Sequence, residues 1–130
     1  MSDYPPDLKY SKDHQWAKVS SNRATVGITK FASEQLGDVM TVSFDVKAGD
    51  TVAAGKAFGT IESVKALSDL YTPLSGKVVN VNADLDGHPE LVNEDCYGKA
   101  WMIVIELSDP KEAASLLDVA GYMEHIKASG

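Results

Sequence analysis

Gly59-Thr60-Ile61-Glu62-Ser63-Val64-Lys65-Ala66-Leu67-Ser68-Asp69 is the stretch on which the fold of this 130-residue chain turns. Phe58-Gly59-Thr60-Ile61-Glu62 and Leu67-Ser68-Asp69-Leu70-Tyr71-Thr72 read as two strands, which leaves residues 63–66 as a tight turn. Lys65 lies in that turn. A lysine at the tip of a β-turn offers its amine to solvent and to a modifying enzyme. If an acyl chain is joined to its four-carbon stem, the product is an arm with a stiff base and a mobile end. An isolated lysine in a turn ordinarily meets only water, so the surrounding chain has to decide between the two readings.

On either side the pattern is short strands cut by turn signals. Val39-Met40-Thr41-Val42-Ser43-Phe44 is a strand, Ala48-Gly49-Asp50 a turn, and Val52 leads on to Gly55. After the lysine hairpin (57–72), Pro73-Leu74-Ser75-Gly76 is a turn and Val78-Val79-Asn80-Val81 a strand. Such spacing predicts a mainly β sandwich or barrel. Gly49-Asp50-Thr51-Val52 before the hairpin is echoed by Ser75-Gly76-Lys77-Val78 after it. Two facing sheets related by a pseudo-twofold axis near residues 63–66 are the expected cause.

Further out, residues 1–9 with Pro5-Pro6 read as an arm, and residues 10–130 as a single domain. His14-Gln15-Trp16-Ala17-Lys18-Val19 and Ala24-Thr25-Val26-Gly27-Ile28 form a hairpin about Ser20-Ser21-Asn22. Thr29 is an N-cap for a short helix over 30–36, and Gly37 its stop. A strand is expected over 101–107. Helices follow over about 109–127: Asp109 caps, Pro110 fits the first helical position, and Glu112 completes a capping box. Ala113, Leu116 and Leu117 form the apolar stripe of the first helix. Tyr122, Met123 and Ile126 face inward from a second helix over 119–127, and the end at 128–130 frays.

Composition narrows the function classes. The formal charge of −7 argues against a nucleic-acid binder and against docking on an anionic membrane. His14, His88 and His125 show no metal-ligand spacing, and the lone Cys96 forms no internal disulfide. No glycine-rich phosphate cradle and no GxSxG elbow occur. A Cys96–His14 or Cys96–His88 nucleophilic pair is formally possible, against the plainer reading of a cysteine filling a gap in a turn. The first residues, MSDYPPDLKY, have neither a basic region nor an apolar run, and the expectation is a cytoplasmic, bacterial protein. A carrier or binding role is what remains.

Glu62-Ser63-Val64-Lys65-Ala66, followed by Ser68-Asp69-Leu70-Tyr71 and Pro73-Leu74-Ser75-Gly76-Lys77-Val78, resembles the lysine segment of the H proteins of the glycine cleavage system. The resemblance runs through most of the chain. It includes His14 with Trp16, Ala24-Thr25-Val26-Gly27-Ile28-Thr29, Glu34-Gln35-Leu36-Gly37-Asp38-Val39, Pro89-Glu90-Leu91-Val92-Asn93-Glu94-Asp95 and Leu107-Ser108-Asp109-Pro110. Acyltransferase lipoyl domains usually show DKA at the same turn and biotin carriers MKM, and both match less well.

The resemblance implies a barrel-sandwich hybrid of two facing antiparallel sheets, lipoyl/biotinyl-like, with lipoic acid in amide linkage to Lys65. It implies a shuttle that is a shared substrate and not an enzyme. A pyridoxal-phosphate glycine decarboxylase loads an aminomethyl group on the lipoyl arm, a tetrahydrofolate-dependent aminomethyltransferase takes the one-carbon unit, and dihydrolipoyl dehydrogenase reoxidises the dithiol. A lipoate ligase or octanoyltransferase with lipoyl synthase installs the group, and Glu62 and Ala66 serve those enzymes. Asp13, Gln15, Glu62 and Asp69 are the candidate residues that receive the cationic amine in a surface cleft. A monomer is expected.

Gln15 stands where such proteins usually have Glu, and Cys96 where they have Pro; Lys99-Ala100 and residues 45–48 also depart. Two other readings remain at this point. One is a biotin or acyltransferase-type module of a larger complex; the other is an H-like protein that relays lipoyl groups or serves only as a binding domain.

Overall fold

Turn residues at each reversal cut the chain into strands too short to bury their apolar faces alone, so they pack as two layers. A computed structural model describes residues 4–129. Among these, strands β1 (Lys9–Tyr10), β2 (Gln15–Ser20), β3 (Arg23–Ile28), β4 (Val39–Phe44), β5 (Thr51–Val52), β6 (Ala57–Ser63), β7 (Leu67–Tyr71), β8 (Gly76–Val81) and β9 (Ile103–Leu107) follow in order. One sheet has the order β1-β2-β3-β9-β8-β5 and the other β4-β6-β7, every pairing antiparallel. The chain therefore crosses from one layer to the other before β5 and back before β6. This is the mainly β, two-sheet architecture the sequence leads one to expect. Ala17, Val26, Val42, Phe58, Ile61, Leu70, Val78, Ile103 and Ile105 fill the space between the sheets and are all but fully buried.

The two glycine-turn stretches are not placed on facing sheets. They lie side by side in the larger sheet, with Thr51 opposite Lys77 and Val52 opposite Gly76. Bonds from Gly49 N–H to the Val78 carbonyl (2.8 Å) and from Val78 N–H to the Asp50 carbonyl (2.7 Å) extend the pairing.

Helix α1 (Lys30–Leu36) is capped as its sequence dictates. The Thr29 side chain accepts from the Ala32 N–H, and Gly37, at φ 72°, returns its N–H to the Ser33 carbonyl. Before it, Trp16 and Gly27 are opposed on β2 and β3. A β-carbon on Gly27 would stand 2.7 Å from the indole, and Trp16 Nε1 donates to the Cys96 carbonyl at 2.9 Å.

Elsewhere the sequence reading needs correcting. Helices α2 (Asp84–Gly87) and α3 (Leu91–Glu94) were not foreseen; four residues carry too few periodic positions to signal a helix. The first C-terminal helix is only a 3₁₀ segment, Pro110–Ser115. The Asp109 side chain caps it at the Lys111 N–H, but the Glu112 carboxylate does not close a capping box. It accepts from the Ser75 N–H (2.8 Å) and hydroxyl (3.0 Å) instead, tying this segment to the turn before β8. Leu117 leaves the expected stripe and exchanges both backbone bonds with Tyr10, each 2.8 Å. Helix α4 (Val119–Ser129) continues through the residues expected to fray; Gly130 lies outside the described residues. Tyr122 faces inward but Met123 is exposed. Of the expected arm, residues 1–3 lie outside the described residues, Lys9 pairs with Ala17, and Leu8 is buried in a second cluster with Tyr10, Trp16 and Tyr122.

Candidate functional site: a braced lysine turn beside an acidic groove

The β6–β7 register, Ile61 opposite Ser68 and Glu62 opposite Leu67, leaves Val64 and Lys65 at the tip. Ser63 closes the turn. Its N–H donates to the Ala66 carbonyl at 2.8 Å, and its hydroxyl oxygen accepts from the Lys65 N–H (3.2 Å) and the Ala66 N–H (3.1 Å). A hydroxyl that bonds the backbone two and three residues on is a standard turn stabiliser. Val64 N–H donates to the Asp38 carbonyl at 3.0 Å, which fastens the tip to the junction of α1 and β4. Asn93 braces that junction, donating to the Gly37 carbonyl (2.7 Å) and accepting from the Val39 N–H (2.9 Å).

The Lys65 side chain is exposed, and its stem runs over Gly37. A β-carbon on Gly37 would lie 3.3 Å from Lys65 Cε. Glycine is needed here twice, for the positive φ and for the close approach.

Beside the turn, α1 separates two concave surfaces. One is a groove of about 450 Å³ formed by the loop before β2, α1 and β7. It brings together Asp13, Gln15 and Asp69, three of the four residues expected to receive an amine, over an apolar floor of Ile28, Leu36, Ile61 and Leu70. Asp13 and Asp69 are exposed carboxylates. Gln15 is only 3% exposed, and its Oε1 already accepts the Ser11 hydroxyl at 2.6 Å, so it is not the open acceptor the sequence suggests. Glu62 and Ala66 do not line the groove; both are exposed at the turn, Glu62 between Thr41 and Leu67 on the outer face. A hollow lined by Phe31, Glu34, Gln35 and Lys65 meets the groove at Gln35, which lines both. His14, Gln35 and Ser68 also line the groove; the sequence names them only within strings of the resemblance and, for His14, in a nucleophilic pair with Cys96.

His14 has φ 68°, in the left-handed region that costs an ordinary residue about 1–3 kcal/mol. This places its Nδ1 2.8 Å from the Tyr122 hydroxyl on α4, which in turn lies 2.7 Å from the Thr29 hydroxyl. Burial and the nearby His125 push the His14 pKa down, against a smaller upward pull from Asp13. Burial pushes the Tyr122 phenol up to about 12.

The nucleophilic pairs left open by the sequence do not assemble. Cys96 lines the hollow on the other side of α1, with Glu34, Asp38 and Glu94, and burial pushes its thiol up to about 11. His88 faces solvent and contacts Glu90 at 3.2 Å. Among the described residues no group of three or more His, Cys, Asp or Glu side chains could hold a metal ion, and no helix is long and apolar enough to cross a membrane. The arrangement sets an exposed amine beside a groove with an apolar floor and two carboxylates.

Comparison with known proteins agrees with this geometry. The model of the glycine cleavage H-protein family matches residues 8–129. The glycine cleavage system H protein of Symbiobacterium thermophilum is 51% identical over 122 residues, covering 94% of each chain. That of Carboxydothermus hydrogenoformans is 48% identical over 130 residues, covering 100% of this chain and 99% of its own. The crystal structure of a glycine cleavage system H protein from Mycobacterium marinum superposes with a TM-score of 0.86 at 33% identity, covering 95% of this chain and 98% of that one. A β-sandwich with this lysine turn, matched in sequence and in shape along nearly its whole length, belongs to the glycine cleavage H-protein family, the lipoyl carriers of the glycine cleavage system.

Proposed function

We propose that this chain is the lipoyl shuttle of a glycine cleavage system, with Lys65 as the attachment lysine and the groove at Asp13, Gln15 and Asp69 as the rest for the arm's loaded end. The reading is carried by one observation: an exposed amine on a braced turn, whose stem leads over Gly37 and past Gln35 to a groove with an apolar floor and two rim carboxylates. The groove fits such an arm chemically. Ile28, Leu36, Ile61 and Leu70 suit an aliphatic chain, and Asp13 and Asp69 suit an ammonium end.

When attached to Lys65, lipoic acid would supply a disulfide able to take up glycine's aminomethyl group from a pyridoxal-phosphate decarboxylase as CO2 leaves; a tetrahydrofolate-dependent aminomethyltransferase would take the one-carbon unit with release of ammonia, and dihydrolipoyl dehydrogenase would reoxidise the remaining dithiol. The protein's own residues hold and present. Ser63, Asp38 and Asn93 fix the height of the amine. The apolar floor keeps water from the end of the arm, and the two carboxylates draw its positive charge. Tethering raises the concentration of the arm's end at each partner. Glu62 and Ala66, exposed at the turn, are contacts for the lipoate ligase or octanoyltransferase and for lipoyl synthase. The carrier works as a monomer, presenting one arm to several enzymes in turn, and catalyses nothing itself.

The test is intact mass after coexpression with a lipoate ligase and added lipoate. The parent chain gains one lipoyl increment and Lys65→Arg gains none while keeping its circular dichroism spectrum; an increment that persists in Lys65→Arg overturns the assignment.

A further inference from the structure

Resting on the carrier reading, we propose that Tyr122 is a positioning residue for the groove: its hydroxyl locks His14 as the neutral, Nε2-protonated tautomer, so that this wall of the groove carries no positive charge against a cationic amine held on the Lys65 arm.

Thr29 is fully buried, and its hydroxyl oxygen already accepts the Ala32 N–H at 3.3 Å. Its proton needs an acceptor, and among the described residues the Tyr122 oxygen, at 2.7 Å, is the partner its hydroxyl has for it. Having accepted there, Tyr122 directs its own proton to His14 Nδ1 at 2.8 Å. That bond requires a lone pair on Nδ1, so the ring proton sits on Nε2. Protonating His14 puts a second donor against the phenol and breaks the chain of bonds.

The surroundings act in the same sense. The ring packs 4.6 Å from Phe31 of α1 and 5.5 Å from His125 of α4 (centroid distances), and His125 is itself pinned by Nε2 to the Lys12 carbonyl at 3.0 Å. The charged groups facing it are Lys12 and Asp13 on its own loop and Asp69 across the groove on β7. Tyr122 thus reaches the groove only through His14, since it does not line the groove itself. A protonated His14 would compete for the same two carboxylates that the amine needs.

The experiment uses the full lipoylated chain and its Tyr122→Phe variant, which keeps the ring stacked on Tyr10. Nitrogen NMR of the histidine ring reads tautomer and pKa. The parent shows the Nε2-protonated neutral form, and the variant shows an upward shift of the His14 pKa. The second readout is release of the amine from the loaded arm against pH. In the variant, release below neutrality rises roughly fivefold, the worth of one lost hydrogen bond; at alkaline pH the two proteins agree. Adding His14→Asn, which tolerates the left-handed backbone and bears no charge, removes the pH-dependent part. An Nδ1-protonated parent, or an unmoved His14 pKa in Tyr122→Phe, overturns the proposal. Failure of the carrier reading has its own signature: the chain would gain no lipoyl increment and no arm could be loaded, whereas the tautomer measurement stands regardless.

Discussion

Asn93 holds Gly37 at the end of α1 by a 2.7 Å bond to its carbonyl, and with its own carbonyl takes the Val39 N–H two residues on. One side chain from the short helix α3 thereby spans the segment from which Val64, and so the lysine turn, is hung. Asn93→Ala removes both bonds. It is expected to cost about 1–2 kcal/mol of stability, at the usual worth of a partly exposed hydrogen bond, and to slow lipoylation of Lys65. Urea denaturation and the time course of the mass increment measure the two effects; a full-rate lipoylation at lowered stability would show that the brace matters to the fold alone.

Gly37→Ala tests the passage of the lysine stem. At φ 72° and ψ −150°, a region all but reserved to glycine, alanine is strained by about 1–3 kcal/mol, and its methyl would press on a Lys65 Cε only 3.3 Å away. The stem can swing clear because it is exposed, so the expected loss lies in how well the arm settles in the groove. Amine release from the loaded variant is expected to be faster than from the parent, with its thermal midpoint down by a few degrees.

Gln15→Glu restores a carboxylate to the groove. The Ser11 hydroxyl, now 2.6 Å from Oε1, donates equally well to a carboxylate oxygen. Retention of the amine is expected to improve roughly fivefold, since a charged acceptor is about twice as strong as a neutral one. Equal hydrolysis rates for the two loaded proteins would remove position 15 from the arm's binding site.

Stability against pH should form a plateau with two falling sides. His14 is pushed down on folding from an ordinary 6.5, so the unfolded chain binds the extra proton first and stability falls as pH drops below that value. The phenols of Tyr10, Tyr97 and Tyr122 and the Cys96 thiol are pushed up by burial, Tyr122 to about 12 and Cys96 to about 11. For these the folded chain keeps protons the unfolded chain has lost, so stability falls as pH rises through 9 and 10. Thermal midpoints at pH 5, 7.5 and 10.5 are expected to be highest at the middle value. A His14→Asn chain should lose part of the acid decline.

Local features were legible in the sequence and assembled ones were not. The Thr29 cap, the Gly37 stop and the Ser63–Ala66 turn each depend on neighbours within a few residues, and each stands where the residue types put it. The groove draws on residues near 13, 35 and 69, which meet only because β7 and the loop before β2 flank the same helix. Asp13 and Asp69 are reachable through resemblance; Gln35 and His14 lie in strings of the same resemblance, but nothing local ties either to the groove. Glu112 shows the opposite error. Its spacing from Asp109 satisfies a capping box, but the Ser75 N–H and hydroxyl offered two bonds where the box offered one. Gln15 stands in the sequence as a candidate to receive the amine, and nothing in its neighbours in the chain reveals that Ser11 claims its oxygen.

The hollow lined by Phe31, Glu34, Gln35 and Lys65 contains one acid and one base. If the lysine nitrogen becomes an amide, a positive charge is lost from the hollow that Glu34 lines and the molecule's formal charge moves from −7 to −8. Blank and charged-up carriers would then separate on an anion exchanger. To any enzyme docking there, the same patch would advertise by its sign whether an arm had been fitted.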